Sequence, residues 1–306
     1  MTLADTVLDL EPATEAAQTI DETDTRIRPR TRSRFRALSV FRKPALVLSV
    51  LLLVLMIGWA LFPQLFTSHD PYVGVPRDKL TPPNAEYWFG TDHLGRDLYT
   101  RTVYGTGLSM QATLIAVIVG LFAGSGIGLL SGFVGGKFDD VVMRFVDVLL
   151  SIPGLLLSLA VVSVLGFGTV NVAIAVGVAS VASFARIMRS DVLRMRTQVF
   201  VEAATVSGVK RPSVLLRHIL PHSLGSVLVL AALEFGAAIL AVSALSFLGF
   251  GAPPPAPEWG SLVAEGRNYL ATAWWLTTLP GLVIAASVLA TNRISRALDD
   301  GKDRLI

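Results

Sequence analysis

The sequence predicts an all-α, polytopic membrane protein with six transmembrane helices, and three observations carry that expectation. Hydrophobic residues make up 52% and charged residues 16% of the 306 positions, and the mean hydropathy of +0.60 is too high for a soluble chain of this length. Apolar runs long enough to cross a hydrocarbon core of roughly 30 Å recur along the chain. Basic residues gather in alternate connections between those runs, as the positive-inside rule requires. Cysteine is absent, so disulfides, thiolate metal sites and a cysteine nucleophile are excluded.

Residues 1–25 are acidic and poor in aromatics, and residues 26–43 reverse sign with Arg26, Arg28, Arg30, Arg32, Arg34, Arg36, Arg42 and Lys43. Together, 1–43 read as a disordered cytoplasmic tail whose basic half abuts the first apolar run and sits beside anionic lipid, with no call for nucleic acid. The first transmembrane helix covers 45–65, within a segment 44–66, and no cleavage pattern follows it, so it is expected to stay as an anchor. Residues 67–107 form an extracytoplasmic segment whose Trp and Tyr suit an interface. Thr91, Asp92, His93 and Asp97 offer ligand chemistry there, but turns and helix caps account for them without a metal.

The transmembrane core, 108–293, holds the other five spans. The second, 109–133, carries Gly120, Gly124, Gly126, Gly128 and Gly132, and small residues at that density let helices approach closely in lipid. Gly135-Gly136-Lys137 is no phosphate loop, because Ser131 and Phe138 stand where a Gly and a hydroxyl residue belong. Asp140, Arg144 and Asp147 recur at i, i+4, i+7 as the third span begins, so they are expected to share one helix face as an ion network. That span continues to 165 with Pro153 bending it. The fourth covers 172–187 and the fifth 223–246, where Glu234 is a carboxylate inside an apolar run. Such a residue marks either a transport pathway or a helix contact made in its protonated form. A Pro-rich loop, 247–274, leads to the sixth span, 275–290, and a charged cytoplasmic tail, 294–306.

Between the fourth and fifth spans, residues 198–222 form a polar elbow. Val199, Ala203 and Val206 give a short amphipathic helix, Gly208 its left-handed stop, Pro212 the start of a second helix, and Pro221 a break or kink before the fifth span. The spacing of Glu202-Ala203-Ala204, Gly208 and Leu220-Pro221 resembles the EAA loop of ABC-importer permeases. Gly90-Thr91-Asp92, Gly95-Arg96-Asp97 and the FLGFGAPPPAPEWG run from 247 to 260 are similar to text of the dipeptide, oligopeptide and nickel subfamily. His218 and His222 depart from the pattern without removing its Glu, Gly or Leu-Pro.

That resemblance implies a type I ABC-importer permease fold and a chain without its own nucleotide site. It further implies a second homologous permease completing the pore, two cytoplasmic ATPase subunits carrying ATP and Mg, and an extracytoplasmic solute-binding protein. Glu202, Ala203, Ala204, Gly208, Leu220 and Pro221 would then couple ATP hydrolysis to peptide translocation by alternating access. The charge pattern points the same way. Of the 26 Lys and Arg, only Arg77, Lys79, Arg96, Arg101 and Arg267 fall opposite the elbow, which places the elbow and both termini in the cytoplasm. The competing reading is an ion-coupled secondary transporter using Glu234; it leaves the elbow unexplained and finds no internal repeat. A membrane-embedded metalloprotease fails on His218 and His222, which have i, i+4 spacing but lack the intervening Glu.

Overall fold

The computed structural model describes residues 44–302, with side chains through residue 297; the tail expected over 1–43 lies outside the described residues. No β-strand forms among these residues, which are a set of helices joined by turns and loops. Five are long and apolar enough to cross a membrane alone: α1 (Pro44–Leu61), α2 (Leu98–Val134), α5 (Thr169–Arg196), the fifth span ending in α8 (Leu220–Phe247), and α10 (Trp275–Lys302). The expected third span is a broken pair, α3 (Gly136–Ser151) and α4 (Gly154–Leu165), bent by 97°. α4 has 12 residues, about 18 Å at 1.5 Å per residue, and is too short to cross by itself. The break is local. Ile152 is extended, at φ −91° and ψ 129°, the conformation favoured by a residue that precedes proline.

Several helices run past the apolar runs that announced them. α2 starts at Leu98 because the Asp97 carboxylate accepts the backbone N–H groups of Tyr99 at 3.1 Å and Thr100 at 3.2 Å, supplying an N-cap ahead of the hydrophobic stretch. α5 continues through Arg186, Arg189, Arg194 and Arg196. α1, conversely, stops at Leu61, and Pro63 opens a single 3-10 turn, Pro63–Leu65.

The bundle is organised on the contact between α2 and α5. Gly120, Gly124, Gly128 and Gly132 form one stripe at every fourth position, and each lies against α5 at Gly177 and Ser180, Val181 and Phe184, Ala185, and Arg189 and Val192 respectively. A methyl group on Gly124 or Gly128 would strike the carbonyl oxygen of Val181 or Ala185. α5 answers with its own Gly177, where an added Cβ would come within 2.7 Å of Val119. Gly126, the fifth glycine of the run, faces open space. Backbones this close gain dispersion contacts that bulkier side chains would prevent, which is what holds helices together in lipid. Ala112, Ala116, Val172, Ala175, Val176, Ala238 and Val242 continue the same seam into α8.

The end of the bundle where α2 begins is closed by a polar plug. Arg96 Nε donates to Asp92 at 2.6 Å, and Glu265 accepts from Arg96 at 3.3 Å and Arg101 at 3.2 Å. Two guanidiniums thus face two carboxylates with Arg101 fully buried. Trp259, at the start of α9 (Trp259–Gly266), is also fully buried and donates its indole N–H to Thr102 O at 3.2 Å. Glu258 accepts from Ser246 Oγ and the Ala252 N–H, both at 2.7 Å. Asp92 additionally accepts the N–H groups of Leu94 and Arg96 at 2.8 and 2.9 Å, so it acts as a turn and ion-pair residue, as the turn reading of 91–97 anticipates. Asp92, His93 and Glu265 do bring ligand atoms close together, but the two arginines already neutralise the pair of acids.

A stability comparison tests the glycine seam. Gly128→Leu is expected to cost at least about 3 kcal/mol or to prevent assembly, the upper range for overpacking. Gly126→Ala should stay within about 0.5 kcal/mol of the parent, as for a surface change. Thermal unfolding of the detergent-solubilised protein reads both; equal destabilisation by the two substitutions would refute the assignment of the contact face.

Candidate functional site

The elbow consists of α6 (Val199–Val206), a turn, α7 (Arg211–Val214) and the run into α8. α6 stops where the sequence says it should. Gly208 has φ +81°, its N–H donates to Thr205 O, and the Val209 N–H donates to Ala204 O, both at 3.1 Å. That pair of bonds is a Schellman motif, which satisfies the last carbonyls of a helix and favours glycine at its left-handed position. Pro212 lies in the first turn of α7, also as expected.

The helix is not broken at Pro221, so of the break or kink expected there the break does not occur. Pro221 stands in the first turn of α8, and Arg211–Phe247 runs as one continuous span. The reason is a π-turn at Leu215–Ile219, in which the Leu220 N–H donates to Leu215 O. Widening the helix there takes up the proline ring and the donor it lacks, so the helix continues through it.

α6 is fastened through two neighbouring side chains and is otherwise open. Val201 is buried among Val192, Val214, Leu215 and Ile219, and the Phe200 ring lies 5.1 Å from that of His222. Val199 and Val206 are 80% and 83% exposed. Glu202 and Ala203 are exposed and Ala204 half-buried, and among the described residues the Glu202 carboxylate has no partner. Leu220 is half-buried and Pro221 exposed. The proposed coupling residues are therefore gathered on one short elbow.

The floor beneath the elbow corrects the ion network. Asp140 and Arg144 are both exposed, and neither forms an ion pair among the described residues. The buried acid is Asp139, which accepts from Arg189 Nε at 2.7 Å and Nη2 at 2.5 Å and from the Ser131 hydroxyl. Asp147 pairs with Arg186, and Arg196 donates to Gly132 O at 2.7 Å. The i, i+4, i+7 pattern assumed that the acids seek a basic residue on their own helix. α5 runs alongside, and its arginines reach α3 from the neighbouring helix, which turns the anchoring face by one residue.

Glu234, half-buried on α8, lines a cavity of about 270 Å³ between α2, α4, α5 and α8, with Ser158, Ser180, Ser183 and several alanines. Among the described residues its carboxylate has no hydrogen-bond or ion-pair partner. His218 and His222 do not converge as ligands; His222 Nδ1 instead lies 2.7 Å from His218 O.

Residues 124–304 match the family model described as the binding-protein-dependent transport system inner membrane component. The chain is 39% identical over 257 residues to the dipeptide transport system permease protein DppC of Alkalihalophilus pseudofirmus, covering 84% of each chain. It is 35% identical over 285 residues to the probable D,D-dipeptide transport system permease protein DdpC of Escherichia coli K12, covering 92% of this chain and 96% of that one. The glutathione transport system permease protein GsiD of Pectobacterium atrosepticum is 38% identical over 257 residues, with 84% of each chain covered. Among solved structures, that of an amino acid ABC transporter with histidines shares the fold at a TM-score of 0.50 and 19% identity, over 67% of this chain and 95% of that one.

The matched region takes in both the elbow and its Asp139–Arg189 support. Asp139→Ala should therefore lower stability by about 1.5–3 kcal/mol, the range for hydrogen bonds to charged groups, and Asp140→Ala by less than about 0.5 kcal/mol. Denaturant unfolding of the two variants in detergent checks the order; a larger loss at Asp140 would reverse the assignment.

Proposed function

The chain belongs to the family of binding-protein-dependent transport system inner membrane components, and from that premise we propose that it is the peptide-conducting permease subunit of an ATP-driven importer. The peptide assignment rests on the relatives named for dipeptide and glutathione transport. Its partners in this reading are a second, homologous permease, two ATPase subunits that carry ATP and Mg, and an extracytoplasmic solute-binding protein. The chain supplies half of the pore and no hydrolytic chemistry. The ion-coupled alternative gains no support from any of these relatives.

The observation that carries the proposal is the state of α6. A short helix fastened through Val201 and Phe200, with Val199 and Val206 exposed and Glu202 unpartnered among the described residues, is a surface built to be covered by another protein. The ATPase subunit is that protein, and the elbow faces the cytoplasm with both termini. The basic residues favour this orientation. Of the five cations at the opposite end, Arg96 and Arg101 are buried in ion pairs with Asp92 and Glu265, so little free positive charge remains there to oppose the bias.

Transport then follows as alternating access. ATP draws the ATPase subunits together, each elbow moves with the subunit that grips it, and α5 and α8, joined to the elbow on either side, reorient around the pathway.

Reversing the charge of Glu202 tests the docking. In the transporter reconstituted with its partner subunits, Glu202→Lys should weaken ATPase binding by tenfold or more, about 1.4 kcal/mol, and lower peptide uptake in step, with the permease still folded and inserted. Parent-like uptake and ATP hydrolysis in this variant would remove α6 from the coupling path.

A further inference from the structure

We infer that the Glu234 cavity is an intramembrane subsite for the protonated amino group of the transported solute; this deepens the peptide reading given above and rests on it. The polar lining of the cavity is one carboxylate and the hydroxyls of Ser158, Ser180 and Ser183, and no Lys, Arg or His lines it. Two of the hydroxyl protons are already committed, since Ser158 Oγ donates to Gly154 O at 2.8 Å and Ser180 Oγ to Gly177 O at 2.9 Å. What Ser158 and Ser180 still offer is lone pairs. Together with the carboxylate they make a cluster dominated by acceptors, and its complement is a cation with several N–H donors, such as a primary ammonium. A solute carboxylate would be repelled at this point, and a divalent metal would meet a single acidic ligand where it prefers several.

An unpaired carboxylate among membrane-spanning helices carries a large desolvation cost and marks a pathway by default. The ammonium of an incoming solute would offset that cost while the solute is present. The walls suit a modest group: Gly154, Ala179, Ala237, Ala238 and Ala241 leave room beside the carboxylate without closing over it. A volume of about 270 Å³ lies just below the usual range of ligand sites, enough for an amino terminus and its first side chain and too little for a long peptide. The subsite therefore reads the end of the solute and leaves its length to the rest of the pore.

Binding calorimetry on the reconstituted permease–ATPase complex, without nucleotide or binding protein, tests the assignment with Ala-Ala and N-acetyl-Ala-Ala as probes. The parent should bind Ala-Ala at least tenfold more tightly than the acetylated peptide. Glu234→Gln should bind Ala-Ala no better than the acetylated form, and Glu234→Asp should retain part of the preference. Co-purification of the subunits with each variant confirms assembly. A parent that binds both peptides alike or neither, or a Gln variant that keeps the preference, overturns the subsite. If Ala-Ala uptake by the complete transporter then persists, the peptide reading stands without it; if the parent takes up no Ala-Ala, the peptide reading falls and the subsite with it.

Discussion

The structure depends on one close approach, the backbone of α2 lying against the backbone of α5 along Gly120, Gly124, Gly128 and Gly132. Lipid is as apolar as leucine, so the two helices gain nothing by hiding apolar side chains from it. They gain by packing tightly, and that requires small residues at the contact. The geometry of the elbow follows from this seam. Because α5 is held along α2, its last turns deliver Arg186 and Arg189 to α3 and Arg196 to the carbonyl of Gly132. α6 then begins from a fixed point.

What the sequence disclosed was what local chemistry decides. Gly208 is legible as a helix stop because only a left-handed residue can close a Schellman motif at low cost. Asp97 is legible as a cap because a carboxylate ahead of a helix has orphan N–H groups to satisfy. The extent of α5 was less legible, since hydropathy marks where lipid is and a helix continues wherever its backbone bonds can. Asp139 was missed for a different reason. It is adjacent to Asp140, and the choice between them is made by Arg189, fifty positions along the chain. No periodicity within α3 contains that information. The 97° break at Ile152–Pro153 lies between these cases: proline announces a disturbance, but only the packing of α4 on α5 sets its angle.

The two ends of the bundle are built on opposite plans. At the end where α2 begins, charges are matched within the chain, with Arg96 and Arg101 against Asp92 and Glu265, and indole N–H groups of Trp259 and Trp275 donated to backbone carbonyls. Removing one member of such a buried set strands another, so the plug resists rearrangement. At the elbow, apolar and charged side chains alike are left for something outside the chain. Rigidity at one end and incompleteness at the other suit a subunit that holds its pathway in place while a partner works on it from the far side.

Continuity of the span from Arg211 to Phe247 joins that outer incompleteness to the inner one. A break at Pro221 would have uncoupled the elbow from the membrane, leaving α6 and α7 to swing on a hinge. The π-turn at Leu215–Ile219 prevents this by absorbing the proline without interrupting the helix. Glu234 lies 15 residues beyond Ile219, about 22 Å at 1.5 Å per residue, on the same uninterrupted helix. A displacement imposed at the elbow therefore reaches the carboxylate as rigid motion of α8, while the opposite wall of its cavity is carried by α4 and α5. α4 joins α3 through a sharp break and α3 is strapped to α5, so one wall is placed by the α3–α5 contact and the other by α8. A cavity whose walls come from several helices changes shape when any of them moves, which is the property a site of alternating access needs.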